Sequence, residues 1–226
     1  AEFRFPGHER VKVKGGVPEA WETLELSSTC EYVIDGDWIE TKDQGGNDYR
    51  LLQVSNIGVG EFVETGNYRY ISQETFDRLK CHEVVPGHIL VSRMPDPIGR
   101  AWLVAEMPWK MVTAVDVAII KTAPSRMDTL FCMYQLNSPE KLSLAQKQAT
   151  GTTRARLTRR NLCSTVMLVP PIEIQTKFGD IAKVNYELAN MLRRQNANLR
   201  RTRDLLLPRL VSGELDVEHV EVRMAG

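Results

Sequence analysis

No stretch of this 226-residue chain matches a GxxxxGK[ST] phosphate loop, a GxSxG nucleophile elbow or an HExxH zinc helix. Their absence removes three familiar routes to catalysis. Neither Gly45-Gly46-Asn47-Asp48 nor Asn56-Ile57-Gly58-Val59-Gly60 has the GxGxxG order that cradles a dinucleotide. Apolar runs stay well short of membrane-spanning length, and the opening residues carry no secretory signal. Cysteine is scarce: Cys30, Cys81, Cys132 and Cys163 are far apart and form no CxxC pair. They read as reduced, mostly buried thiols of a cytoplasmic protein. Internal repeats and low-complexity tracts are missing too.

Net charge is zero, but the charges are not evenly spread. Residues 1–150 hold 16 Lys/Arg against 21 Asp/Glu, a net of −5, whereas residues 151–210 hold 12 against 4, a net of +8. The last 16 residues, with one Arg and four acids, restore neutrality. Arg154, Arg156, Arg159 and Arg160 form the densest cluster. Such a cluster suits phosphates, an acidic protein partner or a solvated face.

The apolar fraction of 42% is enough for a core. Residues 1–20 are polar and turn-rich and read as an arm. Candidate strands follow at Leu51–Ile57, His88–Met94, Ala101–Glu106 and Val112–Lys121. Ser72 to Lys80 suits a short helix. Ser125 with Asp128 resembles a capping box ahead of Leu130–Leu136, and Ser138 caps a helix with Pro139 at its first position. The apolar run Cys163–Val169 is expected to close the sheet. The fold class is therefore mixed α/β, with a globular domain over 1–169 and a long C-terminal coiled-coil helix with its tail over 170–226.

That helix opens at Pro170-Pro171, has no Pro or Gly from Ile172 to Leu207 apart from Gly179, and is expected to stop before Pro208. Phe178, Ile181, Asn185, Leu188, Leu192, Gln195, Leu199, Thr202 and Leu206 follow 4-3 spacing, which turns one side toward a partner helix. At about 1.5 Å per residue, some 35 residues make a rod of about 50 Å. Asn185 at a core position would set register at a cost in stability. A helix folded back on its own domain is the alternative reading.

Two constellations invite a chemical reading. Asp35, Glu40 and Lys42 have the D-x4-E-x-K order of a metal-dependent nuclease, in which two carboxylates hold Mg²⁺ and the lysine polarises water. The Asp35-Gly36-Asp37 sequence equally spells a turn. Cys81-His82 and His88 suggest zinc, yet no further cysteine lies near to complete four ligands. Lys42, Gln44 and Asn47 sit on the polar Gly-rich loop. Gln and Asn pair with adenine, and Arg or Lys with guanine.

The run Leu199-Arg200-Arg201-Thr202-Arg203-Asp204-Leu205-Leu206-Leu207-Pro208-Arg209-Leu210-Val211-Ser212-Gly213-Glu214-Leu215 closely resembles the end of type I restriction-modification specificity subunits. Three further blocks occur in order. Arg50–Ile57 resembles that family's early target-recognition strand. Gly151-Thr152-Thr153-Arg154 with Leu157–Leu162 resembles its late signature. Pro170-Pro171-Ile172-Glu173-Ile174-Gln175 resembles its PPLxEQ helix start, with Ile174 in place of the usual Glu. The resemblance spans about residues 18–217.

It implies a DNA target recognition domain joined to a coiled-coil spacer, and no chemistry of its own. A full-length subunit has two such units, with antiparallel helices, each domain reading half of a bipartite site. This chain would be a half-length subunit pairing with a second copy, or a fragment pairing with a second half. Implied partners are double-stranded DNA, an adenine methyltransferase subunit and, through that complex, a restriction subunit. SAM, ATP and Mg²⁺ belong to those partners, and no membrane is involved. Arg154 and Arg156, with Thr152 and Thr153, lead the expected DNA contacts. Lys42, Gln44, Asn47, Arg69, Arg93, Arg100 and Lys110 follow. Phe178, Ile181, Asn185, Leu188, Leu192, Leu199 and Leu206 are expected to dimerise. Arg193, Arg194, Arg200, Arg201 and Arg203 are expected to dock the methyltransferase. The alternatives are the Asp35/Glu40/Lys42 nuclease and a protein-only coiled-coil adaptor.

Overall fold

The computed structural model describes residues 12–14, 17–151 and 154–215. The chain divides into two compact units, one ending at Ile181 and the other starting at Ala182. Most of the expected arm and the Thr152-Thr153 pair lie outside the described residues.

The first unit is built from small sheets. Strands β1 (Val13–Lys14) and β2 (Val17–Pro18) form a hairpin, and β3 (Glu22–Glu25) follows. Strand β4 (Cys30–Asp35), which sequence patterning missed, leads to β5 (Tyr49–Leu52), β6 (Tyr70–Ile71), helix α1 (Gln73–Leu79), β7 (Ile89–Ser92), β8 (Ala101–Leu103), β9 (Lys110–Thr113) and β10 (Val117–Thr122). An antiparallel sheet has the order β4-β10-β7-β8, and a second has the order β6-β5-β9 with β5 and β9 parallel. Strands β7 and β9–β10 are nearly continuous apolar runs because the sheets are buried on both faces. Alternation then sorts β5 between two cores. Leu52 packs with Leu90, Trp102, Met111 and Ile119, while Tyr49 and Leu51 pack with Ile71, Cys81 and Val112.

The expected single strand Val112–Lys121 is two strands. Val117 N–H donates to the Ala114 carbonyl at 2.9 Å, closing a turn. Gly36 and Asp37 fix that turn from outside, donating to the Val117 and Thr113 carbonyls at 2.9 and 2.8 Å. A Cβ on Gly36 would lie 2.2 Å from the Ala114 carbonyl oxygen, so only glycine permits this approach. The expected strand Leu51–Ile57 also breaks early. Asn56 Oδ1 captures the Gln53 N–H at 2.9 Å, and Val54–Asn56 becomes a single 3-10 turn.

Helices α2 (Thr129–Leu136), α3 (Pro139–Gln148) and α4 (Arg159–Cys163) follow, then strand β11 (Val166–Val169). Local chemistry starts each helix. Ser72, Asp128, Ser138 and Thr158 accept backbone N–H bonds at the first turns of α1 to α4. Asp128 does this for α2, in place of the expected Ser125 box. Strand β11 does not join the larger sheets; it pairs antiparallel with β3 alone.

Helix α5 runs from Ile172 to Val211, 40 residues or about 60 Å. Its first turns belong to the first unit. The fully buried Gln175 amide donates to the Arg126 and Pro170 carbonyls, and its oxygen accepts from Asp128 N–H at 3.0 Å. Phe178 meets the edges of Phe131 and Tyr134 at 5.3 and 5.6 Å. Phe178 thus anchors the helix start, as aromatic rings prefer this edge-to-face contact, while part of its ring stays exposed.

In the second unit Val184, Leu188, Met191, Leu192, Leu199, Leu206 and Leu210 are exposed, as are Asn185, Gln195 and Thr202. Pro208 does not stop the helix. Residues 191–214 are all exposed, so water can solvate the carbonyl that lacks a Pro208 N–H donor. The helix ends instead at Gly213, whose φ of 73° suits the left-handed stop. Among the described residues no helix is long and apolar enough to cross a membrane.

Candidate nucleic-acid interface

The arginines of 154–160 come to lie at one end of the four-stranded sheet. Arg156 is half-exposed and bridges back to Thr150 across the Gly151 turn. Its Nε lies 2.7 Å from Asp116 Oδ1, in the turn between β9 and β10. Arg159, at the start of α4, places Nη1 3.8 Å from Asp35 Oδ2 at the end of β4. Arg154 and Arg160 are exposed.

Arg93 lies beneath them and is 3% exposed. Its Nη2 lies 3.0 Å from Asp35 Oδ1 and donates to the Val115 carbonyl at 2.6 Å. Its backbone N–H donates to the Asp116 carbonyl, and its carbonyl accepts from Leu157 N–H, both at 2.9 Å. Burial pushes the Arg93 guanidinium below its ordinary pKa, with Asp35 opposing. Arg93 was expected to reach a ligand directly. It ties together the ends of three segments instead, because a buried guanidinium must be paired.

A second group gathers around the Tyr49 end of the three-stranded sheet. Lys110 is opposite Tyr49 in the β5–β9 register, with its Nζ 5.2 Å from the Tyr49 ring centre. The Arg69 carbonyl accepts from Leu51 N–H, and Gly45 N–H donates to the Tyr70 carbonyl. Hence the loop with Gln44 and the exposed Asn47 lies on the β6 side with Arg69, whereas Lys110 is on β9, the opposite outer strand. Lys42 is exposed, but its Nζ lies 2.8 Å from Glu40 Oε2. Lys42 in turn holds the Glu40 carboxyl below its usual range. Sequence patterning missed two exposed aromatics here, Trp38 and Tyr68, at 69% and 57% exposure.

Arg100 serves the fold and offers no charge to a ligand. It is buried, and its guanidinium donates to the carbonyls of Ile57, Met94, Pro97 and Val54. Arg50 is likewise buried, bonded through both terminal nitrogens to Glu64 and lying over the Phe62, Tyr68 and Trp109 rings.

The nuclease constellation does not assemble. Asp35 faces Arg93 and Arg159, whereas Glu40 pairs with Lys42 and Trp38. The zinc candidates diverge as well. Burial, reinforced by Asp37, pushes the Cys81 thiol up to about 12. His82 bonds Asp37 at 3.1 Å, and His88 bonds the Tyr32 hydroxyl at 2.8 Å. Among the described residues no group of three His, Cys, Asp or Glu side chains could hold a metal ion.

No family model and no curated protein matches the chain. Solved structures do. The S subunit of a type I restriction-modification system from M. genitalium is 15% identical, with a TM-score of 0.61 over 90% of this chain and 48% of that one. The HsdS subunit from Thermoanaerobacter tengcongensis is 19% identical, with a TM-score of 0.55 over 92% of this chain and 49% of its own. A chain from a structure on assembly and conformational transition of a type I R-M system is 18% identical, also with a TM-score of 0.55, over 89% of this chain and 48% of its own. The chain spans about half the length of each. It has the fold of type I restriction-modification specificity subunits.

Proposed function

We propose that this chain is a sequence-specific DNA-recognition component of a type I restriction-modification complex, a cytoplasmic protein reading one half of a bipartite site. The observation that carries this reading is the fold itself, shared over about 90% of the chain with S subunits. The half-length coverage supports pairing with a second unit through α5, whose exposed leucines recur with helical spacing. In this reading the chain is not catalytic. It aims a methyltransferase and, through it, a restriction subunit, and those partners carry SAM, ATP and Mg²⁺. The methyltransferase docks on α5, where Arg193, Arg194, Arg200, Arg201 and Arg203 cluster.

The arginine face of Arg154, Arg156, Arg159 and Arg160 suits DNA phosphates, and Gln44, Asn47, Arg69 and Lys110 supply base-reading chemistry. The test is an anisotropy titration on duplex DNA across a salt series. Affinity falls steeply with salt, and replacing Arg154 and Arg156 with Ala weakens it. The same change flattens the salt slope by roughly 0.9 for each phosphate that is no longer neutralised. A doubly substituted protein with unchanged affinity and slope would remove the arginine face from the interface.

A further inference from the structure

The arginine face contains two carboxylates where a surface evolved only for phosphate would have none. Asp116 and Asp35 lie at adjacent sheet ends: Asp116 stands 2.7 Å from the half-exposed Arg156, and Asp35 3.8 Å from the exposed Arg159, beyond hydrogen-bond reach. Of the Arg156 nitrogens it is Nε that stands against the carboxylate, as an ion pair without a hydrogen bond. That choice matters chemically. A guanidinium has five N–H donors in a planar fork, and an ion pair at Nε leaves the outer edge formed by the two terminal nitrogens clear of the carboxylate. Arg93 fixes the base, because its Nη2 holds Asp35 and the Val115 carbonyl while its N–H holds the Asp116 carbonyl. The Arg93 carbonyl in turn receives Leu157 N–H, next to Arg156.

We propose that Asp116 is a positioning residue, which holds Arg156 as a pre-set fork for the phosphates of a DNA backbone. This rests on the DNA-recognition reading above. The carboxylate acts through the arginine and touches no DNA. Charge alone makes the opposite forecast: removing a negative group from a DNA-binding face strengthens binding, since one less repulsion opposes the phosphates. Pre-organisation predicts weakening, since a loose arginine must be ordered on binding.

The probe is a mixed-sequence duplex of about 30 base pairs, titrated with the full chain at low and moderate salt. Asp116→Asn is expected to weaken binding by about three- to tenfold, and Asp116→Glu to recover part of the loss. In an Arg156→Ala background the Asp116→Asn change is expected to have no further effect. Arg156→Lys leaves the β9–β10 turn untouched and keeps the charge, so it reports even where the Asp116 variants fold poorly. It is expected to lose nearly as much affinity as Arg156→Ala, because an ammonium has no fork. Equal or tighter binding by Asp116→Asn, or full affinity in Arg156→Lys, would overturn the positioning role while leaving DNA recognition intact. Salt-insensitive or absent binding by the unaltered chain would overturn both.

Discussion

Arg100 and His88 show what burial asks of a side chain that could carry charge. Arg100 is enclosed, and its guanidinium binds the backbone carbonyls of Val54, Ile57, Met94 and Pro97. Removing it would strand those acceptors without donors. Arg100→Met should therefore lower unfolding stability by about 2–4 kcal/mol, measured by denaturant titration; a change under about half a kcal/mol would deny it this role. His88 offers a pH test. Burial, aided by the Lys121 charge, lowers its pKa below the ordinary 6.5, so the folded state keeps the ring neutral against Tyr32. The unfolded chain takes up a proton as pH falls through about 6.5, and the folded chain does so only further down. His88 thus contributes its full stability above about 6.5 and loses it as pH drops toward the folded value. Unfolding free energy should decline between about pH 7 and pH 5, and His88→Gln should flatten that decline. An unchanged slope in the variant would mean another group dominates.

At the level of elements, what could be read in advance was what the chain specifies locally. Ser72 and Ser138 announce their helices because a hydroxyl takes a first-turn N–H, and Pro139 sits where its missing donor costs nothing. The β9–β10 turn was hidden because Val115 and Asp116 sit within a run that reads as strand. The turn is made by contacts from Gly36, Asp37 and Arg93, distant in sequence. Arginine burial was hidden for the same reason: Arg93, Arg100 and Arg154 look alike in a sequence, and only tertiary packing separates an anchor from an exposed cation. The clustering of Arg154–Arg160 was visible, but its carboxylate partners were not. In α5 the long helix was legible from spacing, and the stop was not, because Pro208 breaks a helix only where its orphaned carbonyl is kept from water. The exposed leucines of α5 give the next prediction. The chain should be a dimer by light scattering, and replacing Leu188 and Leu192 with Glu should yield monomers. A variant that stays dimeric would place the contact elsewhere.

At the scale of the whole molecule, two compact units divide the labour of the proposed function. The first presents arginines and amides from small sheets, and the second presents an exposed apolar and basic helix. Neither assembles the carboxylate set of a nuclease among the described residues. In the proposed role this chain chooses where on DNA another subunit acts. Mapping methylated adenines in DNA treated with the partner methyltransferase, with and without this protein, tests that most directly. The expected result is methylation at one bipartite sequence, only when both proteins are present. Methylation that ignores this chain, or site-specific methylation or Mg²⁺-dependent cutting by this chain alone, would contradict the account.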